Sequence, residues 1–157
     1  MKIKLIVVGK TNKTYLVEGE REYEKRLSHY IKFEEIIVLE IKQAGKLSEG
    51  ELKKKEGHLI LGKLEISDHI ILLDDKGKSF SSIDFANLLQ QKMSSSLKSL
   101  VFVVGGAFGF SDEVYQRANS KLSLSKMTFS HQMVRLIFKE QLYRGLSILR
   151  GEKYHHE

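Results

Sequence analysis

The sequence has no cysteine. That excludes a disulfide framework, thiolate zinc sites, iron–sulfur clusters, a cysteine nucleophile and thiol redox chemistry. It has no proline either, so Gly, Ser, Asn and Asp must punctuate the chain. No apolar run approaches the roughly 18 residues of a membrane span; the longest, Leu100 to Phe110, is 11 residues and contains three glycines. Leu5 to Val8 follow Lys2 and Lys4 but stop at Gly9 and Lys10, too short for the apolar region of a secretory signal. No membrane association is expected, and the expected location is the cytoplasm. The 157 residues carry no low-complexity linker and no repeat of fixed period, so a single domain over 1–157 is expected.

What is present suits a globular core: 41% of the residues are hydrophobic and 29% charged, which disfavours disordered, collagen-like and coiled-coil classes. The net charge of +6 is unevenly placed: residues 1–65 carry +3, residues 66–119 carry −1 and residues 120–157 carry +4. A basic C-terminal quarter fits a polyanionic partner, because Lys and Arg that neutralise phosphates release counterions. An ordinary solvated basic surface fits the same charge.

Five short runs rich in Val, Ile, Leu and Phe read as strands: Lys2–Val8, Phe33–Ile41, His69–Leu73, Leu100–Val104 and Lys121–Leu124. Helical spacings lie between them, at Tyr23, Leu27 and Tyr30, at Leu52, Leu59 and Leu64, and at Phe85, Leu89 and Met93. Ser48 with Glu51 predicts a capping box, and Ser81 and Ser111 predict two further helix starts. Alternating strands and helices imply right-handed crossovers and a mainly parallel α/β sheet covered by helices. Lys42–Gly50 reads as a long loop.

The last helix, about His131 to Leu149, reads as apolar nearly all round, with Met133, Val134, Leu136, Ile137, Phe138, Leu142, Tyr143, Leu146, Ile148 and Leu149. Such a helix needs a partner on more than one side, either the same helix of a second subunit or, in a monomer, the core itself. The homodimer is the expectation.

Three segments concentrate candidate chemistry. Gly105-Gly106-Ala107-Phe108-Gly109 follows a strand and precedes the helix capped by Ser111. Its spacing matches neither the dinucleotide fingerprint nor the phosphate-binding loop. A tight turn and a site of close ligand approach both remain open. Leu122 to His131 is a strand end running through a polar loop into the last helix. The tail Arg150 to Glu157 combines basic residues, Tyr154, His155 and His156, which suits contact with nucleic acid as well as a plain solvated terminus. The histidines show no metal-ligand spacing, and no metal is expected.

An ordered set of motifs covers essentially the whole chain: Met1-Lys2-Ile3 with Val8-Gly9-Lys10, Tyr23-Glu24-Lys25-Arg26-Leu27, Lys55-Glu56-Gly57, Leu73 with Gly77-Lys78, and Phe102-Val103-Val104-Gly105-Gly106. It continues through Ser125-Lys126-Met127-Thr128-Phe129, His131-Gln132-Met133, Glu140-Gln141 with Tyr143-Arg144, and Arg150-Gly151-Glu152 with Tyr154-His155. This set resembles the RlmH (YbeA-like) methyltransferases of the SPOUT superfamily, which methylate N3 of a pseudouridine in bacterial 23S ribosomal RNA.

The resemblance implies an α/β fold with a C-terminal trefoil knot, a homodimer, and S-adenosyl-L-methionine held by Leu73, Gly105 and the loop Leu124, Ser125, Lys126, Met127, Thr128 and Phe129. It implies the ribosomal RNA or the ribosome as substrate. The residues given to the reaction are Tyr154 for stacking, His155 or His156 for base contact or proton loss, and His131 and Arg144 for phosphate or loop. The chain departs from the pattern at Ser130, where many relatives have Pro, at Gly145, where many have Ala, and at His156, where some have Arg or Lys. Ser130 is expected to cap the following helix. The rival readings are a non-catalytic RNA-binding module for ribosome assembly and an enzyme acting on a free nucleotide.

Overall fold

The computed structural model describes residues 1–156. Five strands, β1 (Lys2–Val8), β2 (Phe33–Val38), β3 (His69–Ser79), β4 (Ser99–Val104) and β5 (Ser120–Ser123), form one wholly parallel sheet in the order β2-β1-β4-β3-β5. Five helices connect or follow them: α1 (Thr14–Leu27), α2 (Glu49–Leu61), α3 (Ser82–Met93), α4 (Asp112–Arg117) and α5 (Met133–Leu149). Parallel strands must be covered on both faces, and two apolar clusters do this. Ile3, Leu5, Val7, Leu100, Phe102 and Val104 point to the side holding α1, α3 and α5. Ile6, Val8, Ile70, Leu72, Val101 and Val103 meet Ile60 of α2 and Val114 of α4 on the other. The alternation along β1 and β4 is the pleat read directly.

All five expected strands are present. The boundaries differ most at β3, which continues past Leu73 to Ser79. Its register with β5 shifts between Leu73 and Lys78, both of which face Leu122, so Asp74 to Gly77 bulge out of the ladder. A Cβ on Gly77 would lie 2.6 Å from the Leu122 backbone, so a side chain there would block the return of the strand. Each cap expected from serine is formed: Ser48 and Glu51 make a reciprocal capping box, Ser81 accepts from Asp84 N, and Ser111 from Val114 N. Within the expected loop Lys42–Gly50 a short 3-10 turn forms at Ala44–Lys46. No described helix is long and apolar enough to cross a membrane.

α5 corrects the reading of an all-round apolar helix. Its inward stripe is Arg135, Phe138, Lys139, Leu142, Gly145 and Leu146, so two cations face the interior. Leu142 and Leu146 belong to the chain's own core rather than to a surface. Gly145 permits close approach to α3, since a Cβ there would lie 2.9 Å from Leu89 Cδ1. The outward stripe of Met133, Ile137, Glu140, Arg144 and Ile148 is half-buried and mixed in character.

Candidate active site

The C-terminal ends of β3, β4 and β5 open into one cleft of about 640 Å³, within the range of small-molecule sites. Ligands of open α/β sheets bind at this end of the strands. β3 contributes Leu73 and the bulge; β4 contributes Val104 and the turn Gly105 to Phe110; the segment after β5 contributes Ser123 to Ser125 and Met127 to His131. Of the residues expected to bind the cofactor, Leu73, Gly105, Leu124, Ser125, Met127, Thr128 and Phe129 line this cleft. Lys126 does not; its side chain is exposed to solvent outside the lining. The loop is folded by its serines, with Ser123 Oγ donating to Ser125 O at 2.9 Å and Met127 N donating to Ser125 Oγ at 2.9 Å.

The glycine segment combines the two readings left open by the sequence. Gly106 and Gly109 form an isolated bridge, with Gly109 N donating to Gly106 O at 3.2 Å and Gly109 at a φ of +82°. It is a tight turn, and it forms one wall of the cleft. A Cβ on Gly105 would sit 3.1 Å from Phe110 Cε1, so a larger residue there would press the Phe110 ring, itself part of the lining. The N-cap of α5 is Gln132, with no side-chain cap bond of its own; Ser130, two residues earlier, accepts from Met133 N through its Oγ at 3.2 Å.

Asp74 and Tyr115 are among the cleft residues that the sequence reading missed. Asp74 sits in the bulge, and its Oδ2 accepts a hydrogen bond from the Tyr115 hydroxyl of α4 at 2.5 Å. Tyr115 stands edge-on to Phe110, with ring centroids 5.7 Å apart. Asp74 follows Leu73 directly, and Tyr115 lies one helical turn past the Ser111 cap. Only the bulge and the α4 position bring the two together.

The residues assigned to the reaction divide. His131 is exposed and lines the cleft. Arg144, Tyr154 and His155 form a second cluster, about 15 Å from Val134 along α5 at roughly 1.5 Å per residue. There the Tyr154 hydroxyl donates to Glu140 Oε1 at 3.0 Å and lies 3.1 Å from the Tyr23 hydroxyl. Arg144 donates to the same Glu140 oxygen from Nε at 3.1 Å and from a terminal nitrogen at 2.6 Å, and its guanidinium lies 4.7 Å from the Tyr154 ring centre. Tyr143 meets that ring edge-on at 4.7 Å. Tyr154 is therefore engaged by its own chain, through its hydroxyl and through its ring.

His155 Nδ1 lies 3.3 Å from Arg144 Nη1. Guanidinium only donates, so Nδ1 accepts, and a neutral ring then carries its hydrogen on Nε2. His155 in this tautomer offers a hydrogen-bond donor rather than a proton acceptor. His156 is exposed, and Glu157 lies outside the described residues. The tail turns at Gly151, whose φ is +68°, with Glu152 N donating to Ser147 O at 3.0 Å. Arg150 then stacks on Tyr30 at 4.1 Å.

The acidic group nearest to a metal-ligand set among the described residues is Glu20, Glu24 and Glu35, whose oxygens lie within 4.8 Å of one another. Lys139 Nζ already lies among them, 2.6 Å from Glu24 and 2.7 Å from Glu35. A lysine thus supplies the cation.

Comparison with known proteins gives a consistent picture. A protein of Parabacteroides distasonis named Ribosomal RNA large subunit methyltransferase H is 56% identical over 157 residues, covering 100% of both chains. One of the same name from Flavobacterium johnsoniae is 57% identical over the same span, again covering 100% of both. The solved structure of "a probable methylase family protein" from Haemophilus influenzae shares the fold at 11% identity and a TM-score of 0.53, over 97% of this chain and 67% of that one. The family described as Predicted SPOUT methyltransferase matches residues 1–155, and with that match and its full-length relatives the chain belongs to the SPOUT methyltransferases.

Proposed function

We propose that this chain methylates large-subunit ribosomal RNA, at N3 of a pseudouridine in the 23S RNA, with S-adenosyl-L-methionine as donor. The observation that carries the reading is the single cleft into which Leu73, Gly105 and the 124–129 loop converge, in a chain more than half identical, end to end, to proteins named as ribosomal RNA methyltransferases. The cleft fits such a donor. Its glycine turn exposes backbone, Leu73, Leu124 and Phe129 offer apolar surface for an adenosyl group, and Asp74 offers a negative charge to a cationic one. S-adenosyl-L-methionine, when bound, supplies an electrophilic methyl group on sulfur. A C-terminal trefoil knot belongs to this reading, supported by the way the segment after β5 shares one cleft with the ends of β3 and β4.

The residues divide the remaining work. N3 of a uracil ring carries a proton that must leave as the methyl arrives, so catalysis rests on alignment and on help with that proton. His131 at the cleft mouth is placed for the RNA backbone. In the tail, Glu140 and Tyr154 fix Arg144, Arg144 fixes His155, and His155 Nε2–H is available to a carbonyl of the base. That leaves the exposed His156 for proton loss. The tail and the cleft of one chain stand apart, so the complete site requires a second copy, and the chain acts as a homodimer with each tail serving its partner's cleft. The half-buried Met133, Ile137 and Ile148 on the outward face of α5 support that contact. With ribosomal RNA as substrate, the protein works in the cytoplasm.

The test is mass mapping of ribosomal RNA from a strain lacking this gene. The expected result is loss of one methyl group from a large-subunit pseudouridine, restored by purified protein with S-adenosyl-L-methionine. Unchanged methylation would favour a non-catalytic assembly module instead.

A further inference from the structure

The cleft contains one charge that is held in place. The β3 bulge carries Asp74 into the lining, half-buried, while its neighbours Asp75 and Lys76 are exposed and opposite in sign. Bulges beside active sites commonly re-aim a side chain in this way. Asp74 Oδ1 accepts from Lys76 N at 2.8 Å and Oδ2 from the Tyr115 hydroxyl at 2.5 Å. Tyr115 is itself fixed by Phe110 and by Lys121 Nζ, 5.5 Å from its ring centre. Burial pushes the Asp74 pKa up, but the Tyr115 hydroxyl and the Lys76 amide outweigh it and hold the carboxyl below the usual range. Neither hydrogen-bond partner carries a charge, and no cation among the described residues lies within ion-pair distance. The cleft therefore holds an oriented anion with no cation paired directly to it, Lys121 acting on it only from beyond ion-pair distance.

We infer that Asp74 is a specificity-determining residue for the methyl donor, its carboxylate complementing the positive sulfur and favouring the cationic donor over the neutral thioether left after transfer. The inference rests on the proposed S-adenosyl-L-methionine site. A sulfonium has no hydrogen to donate and is stabilised by undirected negative charge. An ammonium wants directed acceptors, and the donor and its thioether product carry the same ammonium, so a contact of Asp74 with that group would not distinguish them. Leu73, Leu124 and Phe129 in the same lining add apolar surface near the charge, which lowers the local dielectric relative to water.

The test is calorimetric titration of the wild type, Asp74→Asn, Asp74→Glu and Tyr115→Phe with S-adenosyl-L-methionine and with S-adenosyl-L-homocysteine, which lacks the positive sulfur. Asp74→Asn keeps the shape and an acceptor for Tyr115. It is expected to weaken the cationic ligand about tenfold and the neutral one less than about twofold. Asp74→Glu, which restores the charge, should recover most of the loss. Tyr115→Phe keeps the carboxylate and should change both affinities by one common factor. Equal losses for the two ligands in Asp74→Asn, with the wild type binding both, would overturn this inference and leave the cofactor site standing. A wild type that binds neither would overturn both.

Discussion

Lys139 and Arg135 are the least expected residues of the interior. Lys139 is fully buried and its ammonium pairs with Glu20, Glu24 and Glu35, bringing one cation to three carboxylates of α1 and β2. The Glu35 contact has ion-pair distance without hydrogen-bond geometry, since Oε2 is left without a hydrogen-bond partner. Arg135 closes the same region by donating to Val8 O at 2.6 Å, Gly9 O at 2.8 Å and Thr11 Oγ1 at 3.2 Å, which ties α5 to the end of β1. Removing one partner of a buried ionic group leaves the others uncompensated, so Lys139→Met should cost about 3–5 kcal/mol near neutral pH. Burial already raises the Glu35 pKa, with Lys139 opposing and Glu20 and Glu24 adding to the rise. A carboxyl raised in the folded state lends stability at low pH and loses it as the pH climbs through the raised value. The deficit of Lys139→Met should therefore shrink as the pH falls from neutral through that raised value. Urea unfolding of both proteins across that range measures it; a deficit independent of pH would mean that the three carboxylates do not share their charge.

At the scale of elements, α5 separates two questions that its sequence joins. Hydrophobic pattern alone makes Leu142 and Leu146 look like interface residues, yet both sit in the core beneath α1 and α3. A glutamate at Leu142 should unfold the chain. Ile137→Glu or Ile148→Glu, on the half-buried outward face, should leave each subunit folded and convert dimer to monomer in sedimentation. A wild type that itself sediments as a monomer contradicts the dimer. The sequence made the strands and the three serine caps legible, because each depends on residues within a few positions of one another. It did not show which face of α5 is buried, since Arg135 and Lys139 become interior only through partners more than 100 positions away, at Val8, Gly9, Glu20 and Glu24. The continuation of β3 was hidden for a similar reason. Asp74-Asp75-Lys76-Gly77 reads locally as a turn, and only Leu122 pairing twice reveals a bulge.

For the whole molecule the central fact is separation. The cleft was legible as three strand ends, and the tail as a cluster of Tyr, His and basic residues, but the sequence could not show that the tail lies against α1 and α5 of its own chain. Tyr154 meets Tyr23, Glu140 and Tyr143 there, away from the cleft lining. One molecule thus carries the cleft at one end of α5 and the tail cluster at the other, and a dimer that joins them across subunits is the account's central claim. Complementation tests it most directly. Gly105→Val, which presses Phe110 into the cleft, and a chain lacking residues 153–157 should each be inactive alone on ribosomal RNA. Mixed and allowed to exchange subunits, they should recover about a quarter of wild-type methyl transfer, because half the dimers then hold one intact cleft facing one intact tail. A mixture as inactive as its components, or a tail-less protein that methylates at the wild-type rate, would contradict it.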